Sequence, residues 1–172
     1  HVIQFGRRLI TPGATAFPTL WEAEGGALIA EEVVGLDDLG LGSRQNLGFD
    51  VAFDPNEVQE YQWFVDRFVD LAVYYGFESQ TARTADAPAA CGWLGRDEPS
   101  EPTVSGPCDY SRLVYGVPWS FLRWLADHLG TALPGGENAF FRGMVEATHP
   151  GFAAVEQVLG EPISPLMDRA TA

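Results

Sequence analysis

The stretch "TLWEAEGGALIAEEVVG", residues 19 to 35, carries two carboxylates seven positions apart, Glu24 and Glu31. On a helix that spacing puts both acids on one face, two turns apart. A tryptophan stands three positions before Glu24, a glycine directly after it and an alanine three after it. A solvated acidic edge is the plain alternative for such a pair. A carboxylate fixed on an otherwise apolar helix also has a chemistry of its own, because it is an oxygen ligand for a metal. The chain supplies an imidazole to go with it in His1, 23 positions upstream of Glu24. His128 and His149 fall near helix ends, where a cation complements the helix dipole, and are read as capping or surface residues rather than ligands.

The elements that must hold such a site are helical. "HVIQFGRRL" reads as the last two turns of a helix whose earlier turns precede residue 1, and "TPGATAFP" then breaks the chain with two prolines and a glycine. From Thr19 to about Val34 the apolar residues Leu20, Trp21, Ala27, Leu28, Ala30 and Val34 recur near helical spacing. The pair Gly25 and Gly26 costs that helix about 1–2 kcal/mol relative to alanine, which points to close packing or a site. Asp54, Pro55 and Glu57 form a capping-box start for a helix running through Tyr75. A later helix covers "DYSRLVYGVPWSFLRWLADHLG" and closes at Gly130, with Pro118 marking a kink or its true start. Shorter helices follow over Glu137 to Ala147 and Pro150 to Leu159, and a last one is capped by Ser164. The fold class expected is mainly α, one helical subdomain over 1–172, with a loop insertion at 77–109.

That insertion contains "CGWLGRDEPSEPTVSGPC". Cys91 and Cys108 are read as a disulfide closing it, worth about 3 kcal/mol on the chain-entropy model, with two unlinked thiols as the alternative. Their spacing is too long for a CxxC motif. A disulfide implies an exported protein. The acids of "GRDEPSEP" and "GLDDLG" offer the oxygen ligands calcium takes but match no EF-hand spacing, so calcium is a minor expectation.

The balance of 10 basic against 24 acidic residues, a formal charge of −14, leaves no basic stripe for nucleic acid or anionic headgroups. No apolar run approaches the roughly 18–20 residues of a membrane span. With 172 residues, 46% of them hydrophobic, the chain has apolar matter for a real core.

The string W-x-x-E-G-x-A-x-x-x-E resembles the segment "WLNEGLAxxxE" of the gluzincin metallopeptidases, in which a glutamate on a separate helix completes an HExxH zinc site. Three further segments, "YGVPWSFLRWLADHLG", "ENAFFRGMVEA" and "VLGEPISPLMDRA", look like that family's downstream helices. Two positions differ: Ala23 stands where the family often has asparagine, and Gly26 where it has leucine or phenylalanine. The resemblance implies that Glu24 is the third zinc ligand, Glu31 an acid behind it, and His1 the second histidine of an HExxH whose first four residues precede this chain. It implies a thermolysin-like or aminopeptidase-like C-terminal subdomain of an exported bacterial zinc peptidase acting on peptide or protein substrates. Tyr115, or else Tyr110, would donate to the substrate's oxyanion, a packed core aromatic being the alternative for either. The missing N-terminal half of the catalytic domain would be its partner, and residues 1–172 alone would be inactive and bind zinc poorly. The competing expectation is a helical binding or scaffold module that keeps the fold without the chemistry.

Overall fold

Six α-helices account for most of the computed structural model, which describes residues 1–42, 48, 56, 61–74, 115–162 and 164. They are α1 (Val2–Ile10), α2 (Leu20–Asp38), α3 (Asp66–Tyr74, entered through a π-helical turn Tyr61–Val65), α4 (Gly116–His128), α5 (Gly136–Glu146) and α6 (Phe152–Leu159). A short 3₁₀ turn, Gly130–Ala132, lies between α4 and α5. Among the described residues there is no strand, and no helix is long and apolar enough to cross a membrane. The protein is mainly α. The proposed cap at Asp54, Pro55 and Glu57, the cysteine-bearing insertion with Cys91 and Cys108, and Tyr110 lie outside the described residues, as does the last helix apart from residue 164.

Local chemistry explains the boundaries. Thr19 opens α2 in an extended conformation, and Glu22, three residues on, returns its carboxylate to the Thr19 backbone N–H at 3.3 Å, the reciprocal arm of a capping box. Pro118 falls in the first turn of α4, where a missing N–H breaks no intrahelical bond, so it marks a start and not a kink. Gly160 ends α6 in the left-handed region at φ 70°, and its N–H donates to the Glu156 carbonyl at 2.8 Å.

The core is built where α2, α4, α5 and α6 meet. Trp21 is 1% exposed and packs edge-on against Phe121 and tilted against Phe152, with ring centroids 5.9 and 5.3 Å apart. Leu125, Phe140, Ala154 and Val155 are sealed from solvent around them. On α2 the buried stripe runs Trp21, Gly25, Ile29, one helical turn at each step. Leu20 and Val34, expected among the inward positions, are exposed instead, because the glycine edge is what α4 packs against. A Cβ on Gly25 would lie 2.8 Å from Pro118 Cβ and 3.0 Å from Leu122 Cδ1. In the same first turn of α4, Gly116 lies against the backbone of α3, where a Cβ would come 2.5 Å from Leu71 N. Small residues at both crossings let α4 bridge α2 and α3 at short range.

Candidate metal centre

His1 occupies the N-cap of α1, its carbonyl accepting from Phe5 N–H at 3.0 Å, and its ring faces the second turn of α2. There His1 Nε2 stands 3.4 Å from Glu24 Oε2. The two residues that the sequence singled out as ligands therefore meet across the α1–α2 seam. The imidazole is 44% exposed and the carboxylate 21%. Burial raises the Glu24 carboxyl above its ordinary value of 4.5, and the ammonium of residue 1 opposes that shift.

The separation bears on fit. A close charge-assisted hydrogen bond runs at about 2.7–2.9 Å. Two donors each about 2.05 Å from one tetrahedral zinc sit about 3.3 Å apart. At 3.4 Å the His1–Glu24 pair is a long ion pair whose spacing is also compatible with two donors on one zinc. Imidazole nitrogen plus carboxylate oxygen is also the right donor chemistry for zinc, so these two residues fit the group. Among the described residues no set of three or more His, Cys, Asp or Glu closes on a common point, so within them the pair offers two bonds.

Glu31 lies further along α2 and is directed to α3. Its Oε2 is 3.6 Å from Arg67 NH2, and the guanidinium packs near the rings of Phe64 and Trp119, 6.0 and 5.7 Å from their centroids. Tyr115 stands half-buried at the head of α4, directly before the glycine that touches α3. His128 ends α4 beside Trp124, with ring centroids 5.2 Å apart, and His149 is exposed between α5 and α6. Asp37 and Asp38 of "GLDDLG" fall in the last turn of α2. The acids of "GRDEPSEP" lie outside the described residues.

Sequence reasoning missed the buried charge pair behind the centre. Arg8 and Glu22 have side chains only 2% and 4% exposed and meet at 2.7 Å, NH2 to Oε1. Arg8 NH1 also donates to the His149 carbonyl at 2.8 Å, and Glu22 Oε2 accepts from Gly151 N–H at 2.7 Å. Burial raises the Glu22 carboxyl, while the Gly151 bond, the Arg8 charge and the Thr19 bond pull it back. The string Thr19-x-x-Glu22 was the available signal, since a capping box fixes where that carboxylate points. A second feature is the space beside Gly26. The Gln4 amide lies against this glycine and donates weakly to the Glu22 carbonyl at 3.5 Å. Gln4 and Gly26 border a groove of about 340 Å³ whose other lining includes Ile29, Val33, Leu122, Phe141 and Met144.

A third cluster is structural. Arg123 holds Glu32 at 3.1 Å, Asp127 at 3.1 Å and Glu137 at 2.6 Å, and Trp119 Nε1–H donates to Glu32 at 2.7 Å. Burial disfavours the guanidinium charge there, but the three carboxylates outweigh it and raise its pKa. Compared with family models, with curated proteins and with solved structures, the chain matches none.

Proposed function

We propose that His1 and Glu24 are two protein ligands of a catalytic zinc ion, and that the chain is the helical C-terminal part of an exported zinc metallopeptidase. The observation supporting this reading is the 3.4 Å approach of His1 Nε2 to Glu24 Oε2, a spacing compatible with two donors on one tetrahedral zinc. When bound, zinc supplies a water acidified enough to attack a peptide carbonyl. His1 contributes a neutral imidazole nitrogen and Glu24 an ionised oxygen. The remaining histidine and the general base come, in this reading, from a His-Glu pair one turn ahead of His1 on the helix that α1 continues. Glu31 lies two turns further along the ligand helix and ties it to α3 through Arg67. A tyrosine, Tyr115 or else Tyr110, donates to the oxyanion that develops on the substrate. The substrate is a peptide or protein, and the other wall of the cleft belongs to the N-terminal half of the catalytic domain.

The test is the parent reading frame together with one variant. The four residues ahead of His1 are expected to read His-Glu-x-x, and Glu24→Gln in the full-length protein is expected to abolish zinc-dependent peptide hydrolysis. Any other four residues remove both a ligand and the base. The helical scaffold without chemistry then becomes the better account of the fold.

A further inference from the structure

We infer that Arg8 and Glu22 are positioning residues that set the distance between His1 and Glu24. The inference rests on the reading of that pair as a metal centre. Two ionic side-chain contacts cross the α1–α2 seam, His1 to Glu24 near the start of α1 and Arg8 to Glu22 near its end, and between them the Gln4 amide donates weakly to the Glu22 carbonyl at 3.5 Å. Arg8 lies seven residues after His1, on the same face of α1. Glu22 lies half a turn before Glu24. The ligand pair cannot hold itself, being partly open to water and joined by a single 3.4 Å approach.

The buried pair has what the ligand pair lacks. Arg8 spends one nitrogen on Glu22 and another on the His149 carbonyl, at 2.7 and 2.8 Å. Glu22 accepts on its second oxygen from Gly151 N–H and from Thr19 N–H, at 2.7 and 3.3 Å. The connection between α5 and α6 is thereby bonded to α1 through Arg8 and to the first turn of α2 through Glu22. The planar guanidinium fixes two acceptors in one plane, which a single bond would not do. Thr15 N–H adds a tie from the α1–α2 connection to the Thr148 carbonyl at 2.9 Å. Rotation of α1 about its axis or sliding along α2 would change the ligand spacing only by breaking these bonds as well. Groups bonded directly to a metal ligand typically carry about 10–100-fold of metal affinity, and Arg8 and Glu22 act one contact further out, through the helices that carry the two ligands.

The experiment is a cobalt(II) titration of the full-length protein, followed by visible absorption, on a double-mutant cycle of Glu24→Gln and Arg8→Met. Circular dichroism and urea unfolding establish that each variant is folded. Glu24→Gln in the parent background is expected to weaken cobalt binding and change the absorption bands. In the Arg8→Met background the same change is expected to have an effect at least about tenfold smaller, because the carboxylate is no longer held at ligand distance. A purely structural Arg8 would lower stability and leave the Glu24 effect intact, which overturns the inference. Should Glu24→Gln leave binding unchanged in the parent background, the metal reading itself fails first. If Arg8→Met does not fold, Arg8→Lys takes its place. It keeps the buried charge but satisfies fewer acceptors at once, so a shrunken Glu24 effect supports the inference and an intact one overturns it.

Discussion

Replacing Gly25 by alanine puts a methyl carbon 2.8 Å from Pro118 Cβ, 2.9 Å from the Pro118 carbonyl carbon and 3.0 Å from Leu122 Cδ1. Carbon atoms rest at about 3.5 Å or more, so the nearest contact is about 0.7 Å short. Two of the opposing atoms belong to a proline in the first turn of α4, which cannot rotate away. Relief therefore requires α2 and α4 to separate, at an overpacking cost of about 1–3 kcal/mol. Alanine also gains about 1 kcal/mol of helix propensity over glycine, which hides part of that cost. Gly26→Ala supplies the control, since it carries the same propensity gain on the same helix but meets only the flexible amide end of Gln4. The propensity contribution cancels in the comparison. Gly25→Ala is expected to be less stable than Gly26→Ala by about 1–3 kcal/mol in urea unfolding, with Gly26→Ala at or above the parent protein. Equal stability of the two variants would refute the claim that the α2–α4 crossing is set at Gly25.

Two further outcomes follow from the same geometry. Trp119→Phe removes the indole donor to Glu32 from a site only 6% exposed, leaving that carboxylate to Arg123; it is expected to cost about 2 kcal/mol or more in thermal or urea unfolding, and a neutral result would show that the 2.7 Å bond contributes nothing. The pH dependence of stability has a sign set by Glu24. Its folded pKa is raised above 4.5, so its contribution is fully present below that value and is lost as pH climbs through the folded pKa. Glu24→Gln deletes this loss, and the variant is expected to gain stability relative to the parent protein across that window. Parallel profiles of the urea midpoint against pH would contradict the burial assigned to Glu24.

The helices were legible because their signals are local. Apolar periodicity, the proline of α4 and the glycines that end α4 and α6 act within a few residues, and the observed elements start and stop close to where those signals lie. The inward face of α2 was not legible in the same way. Its apolar residues surround much of the helix, so counting them could not tell Leu20 and Val34, which are exposed, from Trp21 and Ile29, which are buried. Contact with α4 decides between the flanks, and α4 selects the edge where Gly25 permits close approach. A glycine scores as a defect in a periodicity argument, yet here it is a point of contact.

The site divides along the same line. Glu24 stood out because its neighbours in sequence form a pattern, and His1 because it is an imidazole upstream of that pattern. Arg8 and Glu22 did not stand out, since a charged residue is solvated unless a partner arrives, and their partners come from residues 149 and 151, far along the chain. Yet the capping box already required Glu22 to turn its carboxylate back toward Thr19, on the side of α2 where the chain arrives from α1. A carboxylate so directed, with a nearby arginine one helix earlier, is a buried pair waiting for its remaining donors. Removing one partner leaves the other charge buried alone, typically a cost of about 3–5 kcal/mol, which is why such a pair resists displacement more strongly than the more open His1–Glu24 pair. The ordering of rigidity in the α1–α2 seam thus runs from the buried end at Arg8 to the open end at His1. If His1 and Glu24 hold a metal as proposed, that arrangement would keep their spacing while one side stays open to water.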